Sequence, residues 1–161
     1  MKDGIAISRR KGRKLSDEEV AYALKSILDL DVESMGYELG QGLRRHTPHV
    51  EPAKDIKNSV RRGTLYTANV GGNRVGMGLS SKSRWLKGVD NITDLRVDPA
   101  HRGRGVGREL LKKMILDMVS EGRRPMLTVN LNNPAGLHLY KSMGFRPVMQ
   151  TMVYDPEKDV K

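Results

Sequence analysis

The sequence predicts an α/β (α+β) fold, a single sheet with helices on both of its faces. Three observations carry that expectation. A hairpin signal runs from LYTANV through Gly71-Gly72-Asn73 into RVGMGLS. A strand-like segment, Ile92–Val97, feeds a glycine-rich turn and then a strongly periodic helix. A short helix is bounded by Asn133 as N-cap, Pro134 at the first helical position and Gly144 as the stop. The element order reads β-β-β-α-β-α-β.

Taken in order, Ser16-Asp17-Glu18-Glu19 fits a capping box. Val20, Leu24, Ile27 and Leu28 then recur at helical spacing, which predicts a helix to about Leu30. Residues 31–49 read as interrupted helix closed by a loop, and a shorter helix is expected from about Pro52 to Arg62, stopped by Gly63. In the strand Ile92–Val97, alternation puts Thr93, Leu95 and Val97 on one face and Ile92, Asp94 and Arg96 on the other. Pro99 ends it. Val106, Leu110, Met114, Ile115 and Met118 form the apolar stripe of the following helix. Met126–Leu131 is expected as a strand, and FRPVMQTMVY as a last strand pair, with Pro147 favouring an edge or bulge.

The chain has 161 residues and a formal charge of +10. Its length suits one domain. No stretch approaches the ~18 apolar residues of a membrane span. The N-terminal residues lack the apolar core of a secretory signal. Without cysteine there is no disulfide framework, thiolate metal site or cysteine nucleophile. These bounds lead to the expectation of a cytoplasmic, non-membrane protein, monomeric or homodimeric. The charge has two foci: +5 over residues 1–14 and +4 over residues 101–125, with −4 over residues 15–45 between them. Residues 1–14 read either as a solvated basic tail or as an arm contacting a polyanion, ahead of one domain over residues 15–161.

The segment VDPAHRGRGVGRELLKKMI sets Arg102, Gly103, Gly105 and Gly107 between a strand and a helix. That arrangement suits a phosphate, because glycines admit close backbone approach and the first-turn N–H groups point outward at the positive end of the helix dipole. Arg104 and Arg108 add charge-assisted donors. No Lys-Ser/Thr pair follows, so a Walker A loop is absent. The dinucleotide fingerprint counted from Gly103 would need glycine where Arg108 stands.

What remains is R-x-x-G-x-G over Arg102–Gly107, preceded by L-x-V-x-P at Leu95, Val97 and Pro99. This resembles the acyl-CoA pyrophosphate loop of the GNAT superfamily of N-acyltransferases. Asn133, Leu137, Leu139, Tyr140, Gly144 and Phe145 are similar to that family's second signature, N-x-x-A-x-x-L-Y-x-x-x-G-F, with Gly136 in place of its alanine. The resemblance covers roughly Arg61 to Tyr154. It implies a mixed, mostly antiparallel sheet with a central splay, acetyl-CoA (coenzyme A) as cofactor, an amine acceptor, and no metal.

Carried over residue by residue, the backbone of Leu95 and Val97 would hold the pantetheine arm as an added strand. Arg102, Gly103, Arg104, Gly105, Gly107 and Arg108 would hold the pyrophosphate. Asn133 would cap its helix and touch the pantetheine, and Tyr140 would protonate the departing thiolate as well as contact the cofactor. Many members place a Glu or His as general base where this sequence has Thr93 and Thr128. Asp94 is expected on the opposite face, and His46, His49, His101 and His138 stand alone.

An amine must be neutral to attack. A lysine-like amine loses its proton at pH 7 at a cost of about 4.6 kcal/mol, an α-amine at about 1–1.4 kcal/mol. The two threonines therefore point either to a low-pKa acceptor or to proton removal through water to a more distant group. The acceptor classes left open are a protein N-terminus, a small amine and an aminoacyl-tRNA. The competing functions are a catalytically idle CoA-binding module and a basic nucleic-acid-binding protein.

Overall fold

The computed structural model describes residues 4–11, 15–23, 25 and 63–149. Strands β1 (Ile5–Lys11), β2 (Gly63–Val70), β3 (Asn73–Lys82), β4 (Val89–Val97) and β5 (Arg124–Leu127) form one sheet in that spatial order. β1 to β4 are antiparallel neighbours, and β5 runs parallel to β4. Helix α1 occupies residues 17–23, α2 spans Val106–Ser120 and α3 spans Pro134–Ser142. A 3-10 turn, Pro99–His101, links β4 to the glycine-rich segment. The expected mixed, mostly antiparallel sheet is the one observed.

Local chemistry explains most boundaries. Gly71 and Gly72 both take positive φ, 58° and 84°, as the tight turn of a twisted hairpin requires. The capping box forms reciprocally: Ser16 Oγ accepts the Glu19 N–H at 3.2 Å and Glu19 Oε2 accepts the Ser16 N–H at 2.9 Å. The expected helix over Pro52–Arg62, the segment 31–49, the end of the first helix near Leu30 and the stretch Gln150–Tyr154 lie outside the described residues.

Four expectations are corrected. Ile5–Lys11 is not a free tail but an edge strand, paired with β2 from Ile5↔Val70 to Lys11↔Thr64. Ile5 is buried in the core and Ile7 packs against it, while Arg9 and Arg10 are drawn into ion pairs. Arg9 Nε lies 3.3 Å from Asp117 on α2 and also pairs with Glu121, the C-cap of that helix, and Arg10 lies 3.2 Å from Glu19 on α1. The second correction concerns β5, which begins at Arg124 and ends at Leu127, so Thr128–Leu131 is not strand. The ladder to β4 stops at Ile92↔Leu127, and among the described residues no strand pairs with Thr128–Leu131.

Third, Ile92 shares the α2-facing core with Leu95 and Val97. Simple alternation fails because Leu79 pairs Asp94 while Ser80 pairs Ile92, leaving Thr93 as an unpaired bulge residue that resets the face. Fourth, Phe145–Met149 forms no strand. Pro147 has no N–H to contribute to a ladder.

Helices cover both faces. On one, α2 places Val106, Leu110, Leu111, Met114 and Met118 against Tyr66, Ala68, Val75 and Ile92. A fully buried Leu or Met contributes about 1.5–3 kcal/mol, so packing rather than intrinsic propensity holds this 15-residue helix. On the other face Ala23 of α1 meets Leu65, Met77 and Leu79. α2 approaches β3 closely because Gly76 and Gly78 carry no side chain. A Cβ at Gly76 would lie 2.8 Å from the Arg96 carbonyl oxygen and 3.1 Å from Leu110, whereas one at Gly78 would meet the Met114 side chain at 2.5 Å.

A flexible methionine can move and a backbone carbonyl in a ladder cannot. Gly76→Ala is therefore expected to destabilise by about 1–3 kcal/mol, and more than Gly78→Ala. Thermal unfolding of the two variants tests this, and the reverse order would contradict it.

Candidate active site

Beyond the Ile92↔Leu127 pair, no described strand covers the outer edge of β4. Two hydrogen bonds fix which backbone groups face that gap. The Asp98 N–H donates inward to the Val75 carbonyl of β3 at 2.9 Å, and the Val97 carbonyl accepts from Arg102 Nε on the outer side at 3.1 Å. Backbone groups alternate along a strand, so Leu95 and Val97 present theirs to the gap. Thr93 and Thr128 stand at its mouth, both exposed. The Thr93 hydroxyl donates to the Leu79 carbonyl at 3.4 Å, and neither threonine can take a proton near neutrality.

The gap opens onto the glycine-rich turn. Gly103 and Gly105 have φ of 74° and 88°, left-handed conformations that strain any other residue. Gly105 caps α2 without a side-chain bond. The N–H groups of Val106, Gly107 and Arg108 thus fall in a first turn where a helix has no internal acceptor for them. Gly107 is different. A Cβ there would sit at ordinary distances of 3.5 Å from Val97 and 3.6 Å from Leu139, so it belongs to the packing of α2 between β4 and α3.

The three arginines of the turn are not equivalent. Arg102 folds back onto Val97. Arg108 reaches across to α3, donating to Ser142 Oγ at 2.8 Å and to Met143 Sδ at 3.2 Å. Arg104 projects from the exposed part of the loop.

α3 begins where expected. Asn133 Oδ1 accepts the Gly136 N–H at 2.8 Å, and a Cβ on Gly136 would lie 2.7–3.0 Å from the Asn133 amide atoms. The glycine that departs from the signature is thus matched to the cap that lies over it. Tyr140 packs against the α2-face core and meets Phe145 edge-on, ring centroids 6.1 Å apart at 67°. Burial raises its phenol pKa first, and the negative charge of Asp94 adds to the rise. Asp94 lies on the face of β4 opposite Leu95, as alternation beyond the bulge requires, yet its charge reaches Tyr140.

Two contributors were not singled out from the sequence. Tyr22 of α1 donates to Asp98 Oδ1 at 3.2 Å, and Arg74 lies 5.0 Å from its ring centroid. This ties α1 to the end of β4 just before the turn. Burial, then Asp98, pushes the Tyr22 phenol up to about 12. No local pattern announces the contact, since its partner lies 76 residues away. Asp94 was set aside because alternation puts it on the face opposite Leu95, where it lies, although its charge acts on Tyr140.

The open edge followed by the left-handed glycines and unsatisfied N–H groups fits an elongated ligand with a phosphate-bearing end. A sequence profile of the acetyltransferase (GNAT) family matches residues 24–145. The chain belongs to that family. Over 82 residues it is 40% identical to the N-alpha-acetyltransferase RimI of Mycobacterium tuberculosis, a match covering 50% of this chain and 51% of the relative. It is 34% identical over 85 residues to the streptothricin acetyltransferase of Streptomyces lavendulae, covering 51% of this chain and 43% of that one. The chain thus spans about half or less of these curated relatives.

The fold is shared with the ribosomal-protein-S18-alanine N-acetyltransferase of Escherichia coli, at a TM-score of 0.64, 18% identity and coverage of 90% of this chain and 79% of that one. It is shared as well with a GNAT family acetyltransferase from Elizabethkingia anophelis solved with acetyl-CoA bound, at a TM-score of 0.62, 20% identity and coverage of 92% and 80%.

Both influences on Tyr140 disfavour the phenolate, so the protein should keep the phenol protonated through neutrality, with its midpoint above the ordinary value of 10. An ultraviolet difference titration of the native protein against Tyr140→Phe reads this directly. A titration midpoint for that residue at or below pH 10 would contradict it.

Proposed function

We propose that the protein is an acetyl-CoA-dependent N-acetyltransferase whose acceptor is a primary amine of the α-amino type. The observation that carries this reading is the uncovered edge of β4 at Leu95 and Val97 leading directly into the Gly103–Arg108 turn. When bound, acetyl-CoA supplies an activated acetyl thioester whose transfer leaves a sulfur to be protonated.

The chain's own residues divide that work. Leu95 and Val97 offer backbone partners to the pantetheine arm. The first-turn N–H groups of Val106, Gly107 and Arg108, with the Arg104 guanidinium, receive the pyrophosphate. Arg102 and Arg108, which hold Val97 and Ser142, position the two walls of the gap while adding positive charge. Asn133 fixes the start of α3 and so the reach of Tyr140. Tyr140 holds a proton at its phenol oxygen for the departing sulfur, and the raised pKa keeps it there.

Because Thr93 and Thr128 cannot act as bases, the amine proton leaves through water toward Asp94, the carboxylate whose charge already reaches Tyr140. Identity to a protein named as an N-alpha-acetyltransferase supports an α-amine acceptor. So does the free-energy cost, since neutralising such an amine at pH 7 costs about 3 kcal/mol less than neutralising a lysine side chain.

Mass spectrometry of peptides carrying both a free α-amine and a lysine, incubated with acetyl-CoA, tests the reading. Acetylation is expected at the α-amine, while exclusive modification of lysine, or none of either, would overturn it. Tyr140→Phe is expected to lower kcat by about 100-fold or more with coenzyme A affinity changed less than about threefold; unchanged turnover removes Tyr140 from the acid role. Asp94→Asn should lower kcat/KM more for a lysine-like amine than for an α-amine. Equal loss on both would assign Asp94 a structural part instead.

A further inference from the structure

The loop between β3 and β4 takes no part in the site described above. β4 separates the two: Val89 lies at the loop and Val97 at the glycine-rich turn, about 25 Å apart at ~3.3 Å per residue. Trp85, the chain's single tryptophan, is 91% exposed at the loop's tip, and Leu86 beside it is 48% exposed. A bare tryptophan removes a large apolar surface from the core, so its display calls for an explanation.

The display is built rather than loose. Ser83 Oγ accepts the N–H groups of Trp85 and Leu86 at 3.3 and 3.1 Å, and the Ser83 N–H donates to the Val89 carbonyl at 2.9 Å. Gly88 turns the chain back at φ 78°, and its carbonyl accepts the Arg124 N–H at 2.8 Å.

Around this platform the charge is of one sign. Lys82, Arg84 and Lys87 are exposed, and residues 82–88 contain no acidic side chain. Arg124 is exposed at the adjoining start of β5. The neighbouring carboxylate, Asp90, is already held by Arg123 through Nε at 2.7 Å. Beside the loop lies an open cleft of about 520 Å³, lined in part by Lys87, Val119, Arg123 and Arg124.

We propose that this loop and cleft form a docking site for single-stranded nucleic acid, with a base stacked on Trp85 and the backbone phosphates held by Lys82, Arg84, Lys87 and Arg124. An exposed ring flanked by unpaired-sign cations is the recurring chemistry of sequence-tolerant single-strand binding. A cationic cleft that begins at Lys87, two residues beyond the ring, suits a strand that bends into it better than the flat face of a bilayer. Contact with three or four phosphates gives log K a slope of about −2 to −3 against log salt. The site is independent of the proposed acetyl transfer and stands or falls separately from it.

The single tryptophan makes the test direct. Its fluorescence is titrated with oligothymidylate of about ten nucleotides, and the same oligomer, labelled, is followed by anisotropy. Expected are quenching, loss of affinity with salt at the slope above, and weakening of about fivefold or more for Trp85→Ala and for Arg84→Glu with Lys87→Glu. Trp85→Phe retains most of the affinity, and Arg104→Ala leaves it unchanged. Absence of quenching, or equal binding by Trp85→Ala, overturns the proposal. So does a response to phosphatidylserine vesicles without one to the oligomer, which would make the patch a membrane contact. Weakening by Arg104→Ala alone would move the binding to the glycine-rich turn and equally overturn it.

Discussion

A β-strand inside a sheet has two edges to satisfy, and among the described residues β4 has a strand partner on both edges only as far as Ile92. There the ladder to β5 ends, and the next residue, Thr93, drops out of register with β3 as a bulge. The rest of the site is arranged around that break. The backbone groups of Leu95 and Val97 are left facing a gap. Arg102 holds the far end of β4, and Tyr22 and Asp98 anchor α1 to the same point from the other face. α2 starts immediately beyond it with its first-turn donors pointed the same way. α3 closes the other wall, held to α2 through Arg108 and Ser142. A break in a hydrogen-bond ladder, which weakens most sheets, is here the feature that the neighbouring elements support.

How much of this was legible in the sequence depended on whether the cause was local. The capping box at Ser16, the Gly71-Gly72 turn, the left-handed glycines of the turn and the Asn133 cap were all readable, because each is decided within about four residues. The strand β1 was legible in principle from Ile5 and Ile7, but five basic residues among Arg9 to Lys14 suggested a solvated end. The partners of Arg9 and Arg10, namely Asp117, Glu121 and Glu19, include residues more than 100 positions away. The bulge left no trace, since Ile92–Val97 alternates in sequence whether or not Thr93 is paired. The early end of β5 was hidden for the same reason: Thr128 and Val129 suit a strand, but the ladder to β4 ends at Leu127. Arg108 was placed at the phosphate by proximity, yet its guanidinium is engaged on α3.

The charge of +10 separates into parts with different physical roles. Arg9 and Arg10 cross-link β1 to the helices on opposite faces, Arg9 through Asp117 and Glu121, Arg10 through Glu19. Lys113 also binds Asp117, at 2.7 Å. The turn's arginines flank the gap, where the pyrophosphate of the proposed cofactor would account for their charge. The cations from Lys82 to Lys87 belong to neither group. They surround an exposed tryptophan at the far end of β4.

The central claim is that the β4 edge beyond Thr93 and the turn behind it form one continuous cofactor surface. Amide hydrogen exchange with and without acetyl-CoA measures it most directly. The account predicts new protection at Leu95 and Val97 together with the amides of residues 103–108, and little change at Trp85 to Gly88. Protection confined to the turn, with Leu95 and Val97 exchanging as before, would contradict it.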